Sequence, residues 1–138
     1  MRTPSLPQAV ALLLSAGLMG VIFYYSSQST TPGIVVEKKE GLTLAFRKMA
    51  HAAEFGSLAL LLRIAFGFLR RDPAYALSFA IAAAYAIGDE AHQRYTPWRV
   101  GSVTDVFIDI GGVVAVLIVW RLAERRLAQR RAAKGKIG

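Results

Sequence analysis

No cysteine occurs anywhere in the chain, which excludes disulfide frameworks, thiolate metal sites and cysteine nucleophiles. Acidic residues are scarce, nine against 17 lysines and arginines. Internal repeats and low-complexity segments are missing, as are a phosphate-cradling glycine loop, a dinucleotide-binding fingerprint and the local signature of a Ser-His-Asp hydrolase. With 138 residues there is room for one domain. What the chain has in quantity is apolar surface: 54% of its residues are hydrophobic and the mean hydropathy is +0.40. Its charges are clustered, and the uncharged runs between them exceed what a small soluble core could bury, which points to a bilayer. The net charge of +8 does not indicate nucleic acid, because seven of the 17 basic residues fall between Arg121 and Lys136, after the last apolar run. That is a juxtamembrane basic tail, a topology signal drawn to anionic lipid headgroups.

The apolar pattern predicts an all-α, integral membrane four-helix bundle, with spans at about 6–25, 42–69, 74–93 and 102–120. The first run follows Arg2, as a signal peptide would. It is longer than a signal core, however, and Tyr24-Tyr25-Ser26-Ser27 makes a poor cleavage site, so a retained span is expected. Arg70-Arg71-Asp72-Pro73 reads as a tight turn, since Pro73 cannot continue one helix but suits the start of the next. Ala80, Ala84 and Gly88 recur every four residues in the third span, which predicts a small-residue packing face. Arg63 sits inside the second span about 10 Å of helix before Arg70, and is expected to snorkel to the cytoplasmic surface. Tyr24, Tyr25, Tyr95 and Trp98 suit an outer aromatic belt, with Trp120 on the inner side. Ser102 suits the N-cap of the last helix.

Ten basic residues flank the spans on the side of both termini and six on the other, which places both termini in the cytoplasm. Three polar clusters then converge on the opposite, outer face: KMAHAAE (48–54), DEAHQ (89–93) and RVGSVTDVFID (99–109). Lys48, His51 and Glu54 share one helical face; so do Asp89 and Gln93, and so do Asp105, Asp109 and Gly112, where the glycine admits a neighbouring helix. A solvated loop does not explain Glu54 and Asp109, which lie inside apolar helices, where a carboxylate is costly. Five of the nine acids (Glu54, Asp89, Glu90, Asp105, Asp109) occupy this zone against the bases Lys48, Arg94 and Arg99. The excess negative charge must be met by protons, a bound cation or water.

The pattern Lys48, His51, Glu54, Phe55, Asp89, Glu90, Gln93, Pro97, Arg99, Ser102, Asp105, Asp109 and Gly112 resembles the VanZ-like family over about residues 47–112. The chain departs from it at Arg47, where the family often has an acid, at Trp98, where a small residue is common, and at Asp109, which is often Asn in the family. The resemblance implies one VanZ-like transmembrane domain over residues 1–120, followed by a basic cytoplasmic tail over 121–138, in a bacterial cytoplasmic membrane. It also implies a link to glycopeptide (teicoplanin) resistance, but it does not supply a biochemical activity.

The expected site is an outward-facing polar pocket formed by Lys48, His51, Glu54, Asp89, Glu90, Gln93, Arg99, Ser102, Asp105 and Asp109. Its expected ligand is lipid-linked or related to the cell envelope, with membrane lipids as neighbours. Lys48 and Arg99 suit a phosphate or carboxylate group. Two other readings stay open: a small membrane hydrolase or transferase using His51 with a carboxylate partner, and a structural subunit whose polar cluster ties helices together. No cofactor is expected, and no metal either, because the His-x-x-Glu face occurs once where bundle metal sites repeat it. The topology has a direct check. Reporter fusions after Gly138 and within residues 70–73 should report cytoplasm, and one within 28–36 the exterior; a C-terminal reporter active only outside would overturn the orientation.

Overall fold

A computed structural model describes residues 3–28, 40–96 and 102–134, with side chains from residue 45 onward in the second stretch. These residues form four helices: α1 (Leu6–Ser26), α2 (Glu40–Ala65), α3 (Arg71–Gln93) and α4 (Val103–Lys134), with a 3-10 turn at Phe66–Phe68 between α2 and α3. Among the described residues there is no strand. Three segments are long and apolar enough to cross a membrane: Leu6–Ser26, Ala45–Phe68 and Val103–Lys134. Helix α3 is not among them, because alanine rather than leucine fills its middle and both its ends are polar.

The helix starts follow local chemistry. At the head of α1 the Ser5 amide donates to Gln8 Oε1 at 2.7 Å, and a proline sits in the first turn, where no amide hydrogen is needed. Pro73 plays the same part in the first turn of α3. Ser102 caps α4, its Oγ accepting from the Thr104 amide at 3.2 Å. Helix α4 does not stop where the apolar run ends. It continues through the basic residues to Lys134, a length of about 48 Å against a hydrocarbon core of about 30 Å.

Helices α2 and α4 form the most extensive pairing of the bundle. They meet at Gly112, where a β-carbon would run into the backbone of Ala52, and at Gly56, where one would stand 2.8 Å from Val116 Cγ2 and 3.1 Å from the Gly112 carbonyl oxygen. At Gly112 the opposing backbone occupies the space of a side chain, and at Gly56 the Val116 side chain and the Gly112 carbonyl crowd it. The core around this crossing holds Phe55, Leu58, Ala59 and Leu62 of α2, Ile22 of α1, Tyr75, Ala82 and Ala86 of α3, and Val113 and Leu117 of α4.

The small-residue face of α3 is not the expected one. Ala80, Ala84 and Gly88 are all exposed, and a β-carbon on Gly88 would meet nothing within 4 Å. The packed face is Ala74, Ser78, Ala82 and Ala86, half a turn away, leading into Asp89, Glu90 and Gln93. Alanine is plentiful on both sides of α3, so spacing alone could not separate the two faces; the polar residues at its end choose the one that turns inward. Ser78 is fully buried and donates to the Ala74 carbonyl at 2.7 Å, so its hydroxyl is satisfied by its own helix.

These faces give a substitution test in the detergent-purified protein. Ala82→Leu should lower stability by about 1–3 kcal/mol through overpacking, and Gly112→Val should prevent the α2–α4 crossing altogether. Ala84→Leu should stay within about 0.5 kcal/mol of the parent, as an exposed substitution does. Thermal melting checks all three, and a large loss for Ala84→Leu beside an unaffected Ala82→Leu would reverse the assignment.

Candidate functional site

The close crossing at Gly112 sets what faces what above it. One turn before Gly112 stands Asp109, and another turn before that Asp105; across from them on α2 are Lys48 and His51, with Glu54 about one turn beyond His51 on the same helix. Lys48 Nζ pairs with Asp105 Oδ1 at 2.6 Å, both side chains about one-third exposed (31% and 32%). His51 Nδ1 lies 3.9 Å from Asp109 Oδ2, too far for a hydrogen bond. His51 also packs toward Phe55, with ring centroids 6.4 Å apart.

Helix α3 supplies the third wall. Asp89, Glu90 and Gln93 are buried in its last turns. Asp89 Oδ2 accepts from Ser26 Oγ at 2.9 Å, which ties the end of α1 to the end of α3, and from Gln93 Nε2 at 2.8 Å. Glu90 Oε1 accepts the Ser102 amide, which holds the cap of α4 against α3. Ser102 is therefore a joint between two helices as well as a cap. His92, on another side of α3, meets Ser27 Oγ at 3.1 Å and stacks on Phe23 at 4.7 Å, a contact with α1. Tyr24, Tyr25 and Tyr95 are exposed around this end of the bundle.

Asp109 stands apart from the other acids. Its relative exposure is 1%, and neither of its carboxylate oxygens has a hydrogen-bond partner. Glu54, Asp89, Glu90 and Asp105 all lie within its electrostatic reach. Asp89 Oδ1 is likewise buried without a partner. Nine of the ten expected site residues fall in the described part of the chain, and all nine lie at this one end, brought there by α2, α3, α4 and the α4 cap. Arg99 lies outside the described residues, as do Pro97, Trp98, Lys38 and Lys39. No group of three or more histidine or acidic side chains among the described residues is arranged to hold a metal ion.

A second polar cluster, at the opposite end, was not anticipated from the sequence. Glu124 of α4 binds Arg63 Nη2 at 2.8 Å, Arg71 Nε at 3.2 Å, Trp120 Nε1 at 2.9 Å and Tyr75 Oη at 3.3 Å. Arg63 also stacks over the Tyr75 ring at 4.6 Å, and Arg121 reaches Asp72 at 3.2 Å. Arg63 thus does not snorkel outward. It is 8% exposed and turns inward to Glu124. Trp120 donates into the same cluster in addition to any place at a lipid interface. The signal was a single acid, Glu124, among the basic residues after the last apolar run, together with the one arginine inside a span. These two can meet only if α4 continues past its apolar run, as it does.

The two ends differ in how charge is compensated. At the Glu124 end every carboxylate oxygen of the central acid has a donor. At the Asp109 end one lysine is ion-paired with a group of five carboxylates, and the most deeply buried of them has no hydrogen bond. Uncompensated buried charge is costly, and an arrangement of this kind concentrates at sites that bind or react.

A family model described as VanZ/LLP1 matches residues 10–124, from the first apolar run to Glu124, the acid at the centre of the second cluster. No curated protein and no solved structure matches the chain.

Proposed function

The chain belongs to the VanZ/LLP1 family, and from that premise we propose that it is a multi-pass protein of the bacterial cytoplasmic membrane whose outer end binds a lipid-linked or cell-envelope ligand. If that ligand belongs to the cell wall, a role in resistance to glycopeptides such as teicoplanin follows. One observation carries the reading: both carboxylate oxygens of Glu124, the central acid at one end, have donors, whereas Asp109, the most deeply buried acid at the other end, accepts no hydrogen bond. A purely structural polar cluster has the first character, because an unpaired buried charge only weakens the packing it joins. The excess of basic residues on the side of both termini supports an outward-facing Asp109 end. The hydrolase alternative pairs His51 with a carboxylate; its neighbours among the described residues are Asp109, at 3.9 Å, and Glu54.

Neutralising the two ends should have opposite effects. Asp109→Asn removes a buried charge and leaves the shape, so the purified variant should melt at or above the parent temperature while its envelope phenotype is lost. Glu124→Ala leaves Arg63 buried without its partner and should cost about 3 kcal/mol, with phenotype falling only as the folded protein falls. If Asp109→Asn also melts well below the parent, the outer cluster is structural glue and the ligand-site reading is wrong.

A further inference from the structure

The sequence left open whether Lys48 and Arg99 grip an anion or whether the acids take a cation. The described geometry bears on Lys48, while Arg99 lies outside the described residues. Lys48 is paired with Asp105 at 2.6 Å, so an anion would compete with that carboxylate for it. Around it stand Glu54, Asp89, Glu90 and Asp109, whose carboxylates share one electrostatic neighbourhood. Two of these hold buried oxygens with no hydrogen-bond partner, both oxygens of Asp109 and Oδ1 of Asp89. Glu54 is half-buried and makes no ion pair or hydrogen bond among the described residues. Glu54 is therefore an acid whose carboxylate is open to an incoming group, with Asp109 and Asp89 in its electrostatic neighbourhood.

We infer that this end of the bundle recognises the positively charged ammonium head of an amphiphile, with Glu54 as the contacting carboxylate and Asp109 as the buried charge that holds the cation in place. An ammonium group suits the site better than a bare divalent ion. Its three hydrogens can be shared among carboxylates from different helices, whereas among the described residues no three acidic or histidine groups are arranged as a metal requires. A phosphate or carboxylate head would instead approach Glu54, Asp89, Glu90 and Asp109, four carboxylates that repel it. The amphiphile is implied by position, because α2 and α4, which carry these acids, are both long and apolar enough to cross a membrane. This inference rests on the ligand-site reading above and specifies the charge of its ligand.

The experiment is a titration of the full-length detergent-purified chain, followed by thermal melting, with dodecylammonium, dodecanoate and calcium chloride at matched ionic strength. Binding to the native state alone raises the melting temperature in a saturable way. Dodecylammonium should do so and dodecanoate should not. Glu54→Gln and Asp109→Asn should each weaken the apparent affinity about tenfold or more, the usual effect of losing one charge-assisted contact. A parallel arm with phosphatidylethanolamine and phosphatidylglycerol identifies the source. Stabilisation by the first alone makes a phospholipid head the carrier of the ammonium group; stabilisation by dodecylammonium but neither phospholipid assigns it to a different amphiphile. Saturable stabilisation by dodecanoate would overturn the inference while leaving a ligand site standing. Equal stabilisation by calcium alone would replace the ammonium head with an inorganic ion. No shift with any probe would also overturn it, and the separate phenotype of Asp109→Asn would then still decide whether a ligand site exists.

Discussion

The backbone of Ala52 pressed against Gly112 is the contact on which the other features depend. It draws α2 and α4 close enough that no side chain fits between them at that level. Because the two helices are pinned there, residues one and two turns beyond face each other at fixed separations. Lys48 meets Asp105, and His51 stops short of Asp109. In the other direction the same pairing runs through Val113, Leu117, Phe55, Leu58 and Leu62 to Arg63 and Glu124. One crossing thus positions polar groups at both ends of a helix pair whose middle is apolar.

The third helix is held to that pair by polar end contacts as much as by greasy surface. Its small face of Ala74, Ser78, Ala82 and Ala86 allows close approach but buries little apolar area per residue. Tyr75 and Arg71 anchor its start on Glu124, Asp89 anchors its end on Ser26, and Glu90 anchors it on the cap of α4. Several acids near the candidate site therefore also have structural duties. Asp109 accepts no hydrogen bond among the described residues, and the one cross-helix group near its carboxylate is His51 Nδ1 at 3.9 Å. That difference makes Asp109 and Glu54, rather than Asp89 or Glu90, the informative positions.

Much of this was legible in the sequence, for physical reasons. Long uncharged runs can be accommodated only by a bilayer, so the helices and their order followed from hydropathy. Alternation of direction then brought 48–54, 89–93 and 102–109 to one end whatever the contacts in detail. The glycine at 112, three residues after an acid on an apolar helix, marked a close approach. What was hidden depended on knowing which neighbour a residue meets. The inward face of α3 could not be read from alanine spacing, because both faces are small. Arg63 looked like a snorkelling residue because its partner, Glu124, lay 61 positions away in a stretch that read as solvated tail. Pairing over such a distance has no local signature. The engagement of Lys48 by Asp105, with which an anion would have to compete, was hidden for the same reason.

The central claim is that the end containing Asp109 is kept uncompensated in order to hold a ligand. Native mass spectrometry of the chain extracted from its own membrane in a mild detergent tests this most directly. The account predicts about one tightly retained amine-bearing amphiphile per chain, absent from Asp109→Asn and present in Ala84→Leu. An identical spectrum of bound lipids in all three proteins would contradict it.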